Sequence, residues 1–299
     1  MSHIKTVFLS TRPSFLILSL SIVTLAASIA HFEGAVWHWS LFLITLLAAV
    51  LSHAAVNLLN EYQDNLSGLD FITHKTPFSG GSGSLQQNPQ AAKSVLNTFK
   101  FIMVILFVVG LYIVYAIGWQ ILPLGILGIV LVIFYTNTIT QYPWLCLISP
   151  GLAFGPIMLL GCYFVFSGHF SLLALALSMV PFFLVNNLLL LNQVPDLQAD
   201  KKVGRFNILM KVGVKQSMYI FSLFELLALF TLILSMIYFD LPDTLLLGGI
   251  GFILALPMII IALTHYQQLD KLMPALTMNV IINLLTPMLI AVGLWLAKT

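Results

Sequence analysis

Runs of about 20 mostly apolar residues, the length needed to cross about 30 Å of hydrocarbon as a helix, recur nine times along this chain. They lie approximately at 14–32, 40–60, 98–117, 121–138, 146–166, 170–191, 217–239, 244–263 and 275–297. Such a chain has one medium in which it can fold. Of its 299 residues, 60% are hydrophobic and 7% are Asp, Glu, Lys or Arg, against roughly a quarter charged in soluble domains. That charge cannot coat a water-exposed surface, whereas a lipid-facing surface needs none. Inside lipid each backbone polar group must be satisfied within the protein, which leaves helices for runs of this length. The expectation is an all-α, polytopic membrane protein, a bundle of about nine transmembrane helices, with residues 1–299 as one integral-membrane domain. The first run is expected to remain as a helix, because no clear small-residue cleavage site follows Ala30 and equally apolar runs come after it.

The few charges are informative by placement. Twelve Lys and Arg against ten Asp and Glu leave a net charge of +2, too balanced for a nucleic-acid binder. With the N-terminus inside and nine crossings, Lys5, Arg12, Lys75, Lys93, Lys100, Lys201, Lys202, Arg205, Lys211, Lys215 and Lys271 fall on the cytoplasmic side and Lys298 outside. This asymmetry follows the positive-inside bias. It places the N-terminus and both long polar connections, about 61–97 and 192–216, in the cytoplasm and the C-terminus outside. A cell inner (plasma) membrane is the expected location. Cys146 and Cys162 sit in apolar runs and offer neither a disulfide framework nor a CxxC metal site.

Both long connections open on acids at helical spacing. Asn57, Asn60, Glu61 and Asp64 share one face if the second helix continues through them, and Asp70 follows. Asn192, Asp196 and Asp200 are spaced by four, with Pro195 expected to kink or restart that helix. Amide and carboxylate oxygens at two helix ends on one membrane face can hold Mg²⁺, which keeps several waters and is commonly shared with substrate phosphates. Two such clusters can clamp one diphosphate. Lys75, Lys201, Lys202 and Arg205 stand near enough in sequence to neutralise phosphate oxygens.

The run Asn57-Leu-Leu-Asn60-Glu61-Tyr62-Gln-Asp64-Asn-Leu-Ser-Gly68-Leu-Asp70, with Asn192-Gln-Val-Pro-Asp196-Leu-Gln-Ala-Asp200-Lys201-Lys202-Val-Gly204-Arg205, resembles the two Asp-rich motifs of the UbiA family of membrane prenyltransferases. Motif order, separation and helix number agree with that family over nearly the whole chain. The Asn-Asx-Tyr start, the delayed Asp70 and the run Phe154-Gly155-Pro156 look most like its menaquinone branch, which prenylates 1,4-dihydroxy-2-naphthoate. Glu61 stands where many members have Asp, and Leu147 where that branch carries an acidic or polar residue. The resemblance implies that Asn60, Glu61 and Asp64, with Asn192, Asp196 and Asp200, hold Mg²⁺ and the prenyl diphosphate, and that Arg12 lies at the mouth of the same cavity. Asn57, Lys75, Lys201 and Arg205 are expected to bind substrate. Asp64, Asp70, Asp196 and Asp200 are expected to serve catalysis, with Asp64 and Asp70 the candidates for removing the acceptor's proton.

The implied reaction is Mg²⁺-dependent transfer of a polyprenyl group from an isoprenoid diphosphate to an aromatic acceptor. Within enzymes the alternatives are 4-hydroxybenzoate, a haem vinyl group or a lipid alcohol as acceptor. From another class, a cation-coupled transporter also needs intramembrane carboxylates, but its sites lie near the bilayer midplane. Thr76-Pro77-Phe78-Ser79-Gly80-Gly81-Ser82-Gly83 lacks the P-loop pattern and reads equally as a substrate cap and a plain turn. Glu225, mid-span, is expected to hydrogen-bond a neighbouring helix. His53 reads as a packed polar residue; Tyr135 and Tyr142 read first as interfacial tyrosines and second as ring faces that shield an allylic cation.

Overall fold

A computed structural model describes residues 1–73 and 75–298. The chain forms α1 (His3–Ser10), α2 (Ile17–Phe32), α3 (Trp39–Ser67), α4 (Leu69–Ile72), α5 (Ser84–Gln87), α6 (Ala92–Ile117), α7 (Leu122–Phe134), α8 (Pro143–Leu152), α9 (Leu160–Ser167), α10 (Leu172–Lys202), α11 (Ile208–Val212), α12 (Val214–Tyr238), α13 (Ala255–His265) and α14 (Leu269–Lys298). Among the described residues there is no strand. Among the described residues seven continuous helices are long and apolar enough to span a membrane, and two shorter apolar helices, Ile17–Phe32 and Trp119–Phe134, bring the total to about nine. A π-helical run, Ala153–Leu159, joins α8 to α9, and a 3₁₀ run, Asp243–Leu254, leads into α13. The protein is a multi-pass, all-helical membrane protein.

The helices at the motifs are longer than the polar composition suggested. α3 continues to Ser67 and ends on Gly68, whose left-handed backbone (φ 76°) lets its N–H reach Asn65 O. α10 runs unbroken through Pro195 to Lys202. The expected connections at 61–97 and 192–216 are therefore mostly helical. Among the described residues their irregular parts reduce mainly to 73, 75–83 and 203–207. Polar residues were read as loop, but a helix needs apolar residues only while it lies in hydrocarbon.

Helix packing in lipid rests on close contact rather than on escape from water. On α8 and the π run, Gly151 and Gly155 face α10 so closely that a Cβ at Gly155 would lie 2.6 Å from Ser178 O. Gly151 donates its N–H to Asn186 Oδ1 at 2.7 Å. Ile22, Leu25 and Ile29 of α2, Leu177 and Leu184 of α10 and Phe221 of α12 are fully enclosed. One end of the bundle gathers α1, α4, α5, α11 and the ends of α3 and α10. The opposite end gathers Glu33 with Ser171, His31 stacked on Trp295, and Thr244 bonded to Gly293 O. α1 and the last turns of α14 thus lie at opposite ends of the bundle.

Candidate functional site

Both motifs face one cavity of about 610 Å³ at the α1 end of the bundle. From α3 it receives Asn57, Asn60 and Asp64, spaced 3 and 4 residues and so on one helical face. From α4 it receives Asp70, which Gly68 turns back towards the bundle, and from α10 Asn192, Asp196 and Asp200. Arg12 and Arg205 also line it.

Arg205 joins the two motifs. Its Nη1 donates to Asp200 Oδ1 at 3.1 Å, and its Nη2 donates to Asp64. Asn207 Nδ2 takes the second Asp200 oxygen at 3.3 Å. Burial opposes the guanidinium's charge, yet Asp64 and Asp200 hold its pKa above the ordinary value. Arg12 sits between α1 and α2 in the left-handed region at φ 52°, a costly conformation for a side-chain-bearing residue. From there Nε and Nη2 donate to Glu61 Oε1 at 2.9 and 2.7 Å, and Nη2 donates to Asn60 Oδ1 at 3.2 Å.

Several assignments from sequence land elsewhere. Glu61 does not line the cavity. One residue on from Asn60, it is rotated by about 100° and is fully enclosed. Arg12 and the Ser82 N–H, at 2.6 Å, occupy its Oε1, while the Ser82 hydroxyl takes Oε2 at 2.7 Å. Glu61 ties Arg12 to the glycine-rich turn and has no oxygen turned to the cavity. Lys75 is exposed and donates to Gln86, and Lys201 and Lys202 are exposed at the α10 terminus; none lines the cavity. Leu147 is buried in the core.

Other residues were undervalued. Ser79, Gly80 and Gly81 line the cavity, so the turn forms part of its wall, a position compatible with a cap. Gly81 lies against Asp70 so closely that a Cβ would be 2.7 Å from Oδ1. Asn207, Thr140, Gln193 and Cys146 also line it and carry no signal in sequence. Tyr135 lines the cavity, whereas Tyr142 is exposed and does not. His53 lines it too, packed edge-on against Phe154 and bonded to Ser19 Oγ at 3.0 Å. Glu225 lies outside, taking a bond from Asn187 of α10 at 3.1 Å, the neighbouring-helix contact expected.

Asp64, Asp70, Asp196 and Asp200, with Glu61 behind them, set five carboxylates against the guanidiniums of Arg12 and Arg205. Burial first, then Glu61 and Asp64, push the Asp70 carboxyl up to about 7. Asp70 Oδ2, Asn192 Oδ1 and Asp196 Oδ1 are buried without a hydrogen-bond partner. Among the described residues no three His, Cys, Asp or Glu side chains form a closed metal cage. Surplus negative charge with unpartnered oxygens from two helices suits an open, partly hydrated Mg²⁺ position shared with a ligand.

The rest of the cavity is apolar, walled by residues such as Leu106 and Phe107 of α6, Ile126 and Ile129 of α7, and Ile157. α6 packs on α3, and α7 on α3 and the π run, whereas α6 and α7 adjoin chiefly at the Trp119–Ile121 corner. Both helices contribute to the apolar half of the cavity.

Fold and site together define an integral-membrane helical bundle with an acidic chamber at one end that continues into an apolar cavity. The chain belongs to the UbiA prenyltransferase family, whose family model matches residues 19–281. It is similar to the 1,4-dihydroxy-2-naphthoate octaprenyltransferase of Bacillus subtilis (strain 168), with 28% identity over 208 residues, 69% of this chain and 65% of that protein. The match thus spans just under two thirds of the relative's length. In fold it resembles a UbiA homolog from Aeropyrum pernix K1, with TM-score 0.70, 16% identity and coverage of 96% and 98% of the two chains. It also resembles a UbiA homolog from Archaeoglobus fulgidus bound to DMAPP and Mg²⁺, with TM-score 0.58, 14% identity and coverage of 96% and 99%.

Proposed function

We propose that this protein transfers a polyprenyl group from an isoprenoid diphosphate to an aromatic acceptor, with Mg²⁺, at the membrane face that carries α1. The observation that carries this reading is the single cavity in which two acid-bearing helix ends meet two arginines and continue into an apolar channel. A prenyl diphosphate has that division of chemistry: a polyanionic head and a long hydrocarbon tail. The A. fulgidus homolog's bound DMAPP and Mg²⁺ support the same ligand class here.

Asp64, Asp70, Asp196 and Asp200, with Asn60 and Asn192, would hold Mg²⁺ around the diphosphate; Glu61 would hold Arg12 instead. When bound, the metal supplies Lewis-acid stabilisation of the charge that grows on the departing diphosphate. Arg205 and Arg12 direct N–H donors to that charge, in a chamber that the Ser79–Gly81 cap shields from water. The allylic C–O bond breaks with its electron pair leaving on the diphosphate, and the carbon is taken by an electron-rich aromatic carbon of the acceptor. Tyr135 and His53 line the same cavity, where a ring face would stabilise the developing cation. The aromatic proton released would pass to Asp70, which lies against Gly81, or to Asp64.

The Bacillus relative's name supports 1,4-dihydroxy-2-naphthoate as acceptor, and hence a place in menaquinone synthesis. The Lys and Arg asymmetry supports a cytoplasmic site and an external C-terminus. Purified protein in lipid, given a radiolabelled prenyl diphosphate and both 1,4-dihydroxy-2-naphthoate and 4-hydroxybenzoate, tests this directly. A prenylated naphthoate is the expected product. A prenylated benzoate would keep the chemistry and change the acceptor. No transfer and no diphosphate release with any acceptor would favour ion-coupled transport.

A further inference from the structure

The first helix is amphipathic in the reverse sense from a helix facing water. Along α1, Thr6 and Ser10 are fully buried, whereas Ile4 and Phe8, one turn apart on the opposite face, are 84% and 60% exposed. A helix beside water turns apolar residues inward. Outward Ile4 and Phe8 suit an apolar medium, and the surface beside them is already lipid-facing: α1 packs on the start of α6, whose Phe101 and Val104 are exposed along the membrane span. Lys5 is also exposed, at headgroup level for an in-plane helix.

The inward face of α1 is tied to the site at three points. Ser10 Oγ meets Ser84 Oγ at 2.9 Å, Ser84 meets Ser82 Oγ at 2.8 Å, and Ser82 holds Glu61. Thr11 O accepts from Asn57 Nδ2 at 2.9 Å. Arg12, the next residue, grips Glu61 and Asn60. Any shift of α1 along the membrane surface therefore moves the cap, the first motif and Arg12 together.

We propose that α1 is an interfacial lipid-binding helix, with Ile4 and Phe8 seated in the leaflet at the site end, and that this seating holds the glycine-rich cap and Arg12 over the diphosphate site. The coupling half rests on the function proposed above; the lipid half does not.

The test has two arms. A nitroxide label at Phe8→Cys, read in nanodiscs against the buried Cys146 and Cys162, should collide more with oxygen than with a water-soluble nickel chelate. The same label at Lys5→Cys should do the reverse. Equal nickel access at both positions would overturn the lipid contact. In the second arm, Ile4→Ser with Phe8→Ser, and separately Ser84→Ala, should each weaken Mg²⁺-dependent binding of farnesyl thiolodiphosphate by roughly fivefold, the worth of one neutral hydrogen bond. Thermal unfolding should shift by no more than roughly 2–4 °C, the effect of one such bond on a domain of this size. If the double variant fails to insert, Ser84→Ala carries this arm. Unchanged affinity in a properly inserted variant would overturn the coupling. If the unaltered protein binds no thiolodiphosphate, the functional reading falls and with it the coupling, while the spin label still decides the lipid seat.

Discussion

Replacing Arg205 by Ala should separate the structural from the chemical role of the charge that joins the two motifs. The Arg205 side chain is 18% exposed and its partners Asp64 and Asp200 are 7% and 6% exposed, so this is a nearly enclosed three-charge cluster. Removing one member of a buried pair costs about 3–5 kcal/mol, because the remaining charges are left uncompensated. We take about 3 kcal/mol, since some solvent reaches the guanidinium. At roughly 2–4 °C per kcal/mol for large domains, the metal-free variant should melt roughly 6–12 °C below the unaltered protein. A divalent cation between the same carboxylates should restore most of this, since a ligand at about 100 times its Kd adds about 2.7 kcal/mol. Turnover should not return. A lost charge-assisted bond of about 1.5–3 kcal/mol to the departing diphosphate lowers kcat by roughly 10–150-fold. Thermal melts in nanodiscs with Mg²⁺ or chelator, beside single-turnover assays, measure both effects. A variant that melts within about 2 °C of the unaltered protein without metal, and gains nothing from Mg²⁺, would refute the bridging role.

Asp64→Asn and Asp196→Asn should each abolish turnover while membrane insertion is retained; full activity in either would remove the two-motif clamp. Gly81→Ala should displace Asp70 and destabilise the cap by about 1 kcal/mol, seen as faster proteolysis near residues 79–83. Glu225→Gln should alter stability with little change in turnover, because its partner is Asn187 and it lies outside the cavity; large loss of activity at normal melting temperature would contradict that placement. Asp70, raised to about 7, binds its proton in the folded state over a pH range where an unfolded Asp has released it. Metal-free stability should therefore fall as pH rises from about 4 to about 7. Mg²⁺ affinity should climb over the upper part of the same window, and Asp70→Asn should flatten both profiles.

The sequence carried the passes because lipid admits one backbone solution, and it carried the pairing of Asp64 with Asp196 and Asp200 because helical spacing puts each set on one face. Glu61 shows the limit of that logic: sharing a face within about 100° did not decide whether the carboxylate met the cavity or Arg12. That choice depended on Ser82, 21 residues away. Lys75, Lys201 and Lys202 were grouped with the site by chain proximity, but flexible cations at helix ends turn to solvent. Arg205 was drawn in because Gly204, at φ 82°, folds the chain after α10 back upon it. Asn207 and the cap over Asp70 depend on tertiary contacts that have no local periodicity to announce them.

If both motifs hold one diphosphate through Mg²⁺, neither motif binds it alone. Calorimetric titration of a prenyl thiolodiphosphate into the protein, with Mg²⁺ and with chelator, tests this most directly when repeated on Asp64→Asn and Asp196→Asn. Binding should be tight, vanish on chelation and be lost in each variant separately. Binding that survives chelation, or that persists undiminished in either variant, would contradict this shared site.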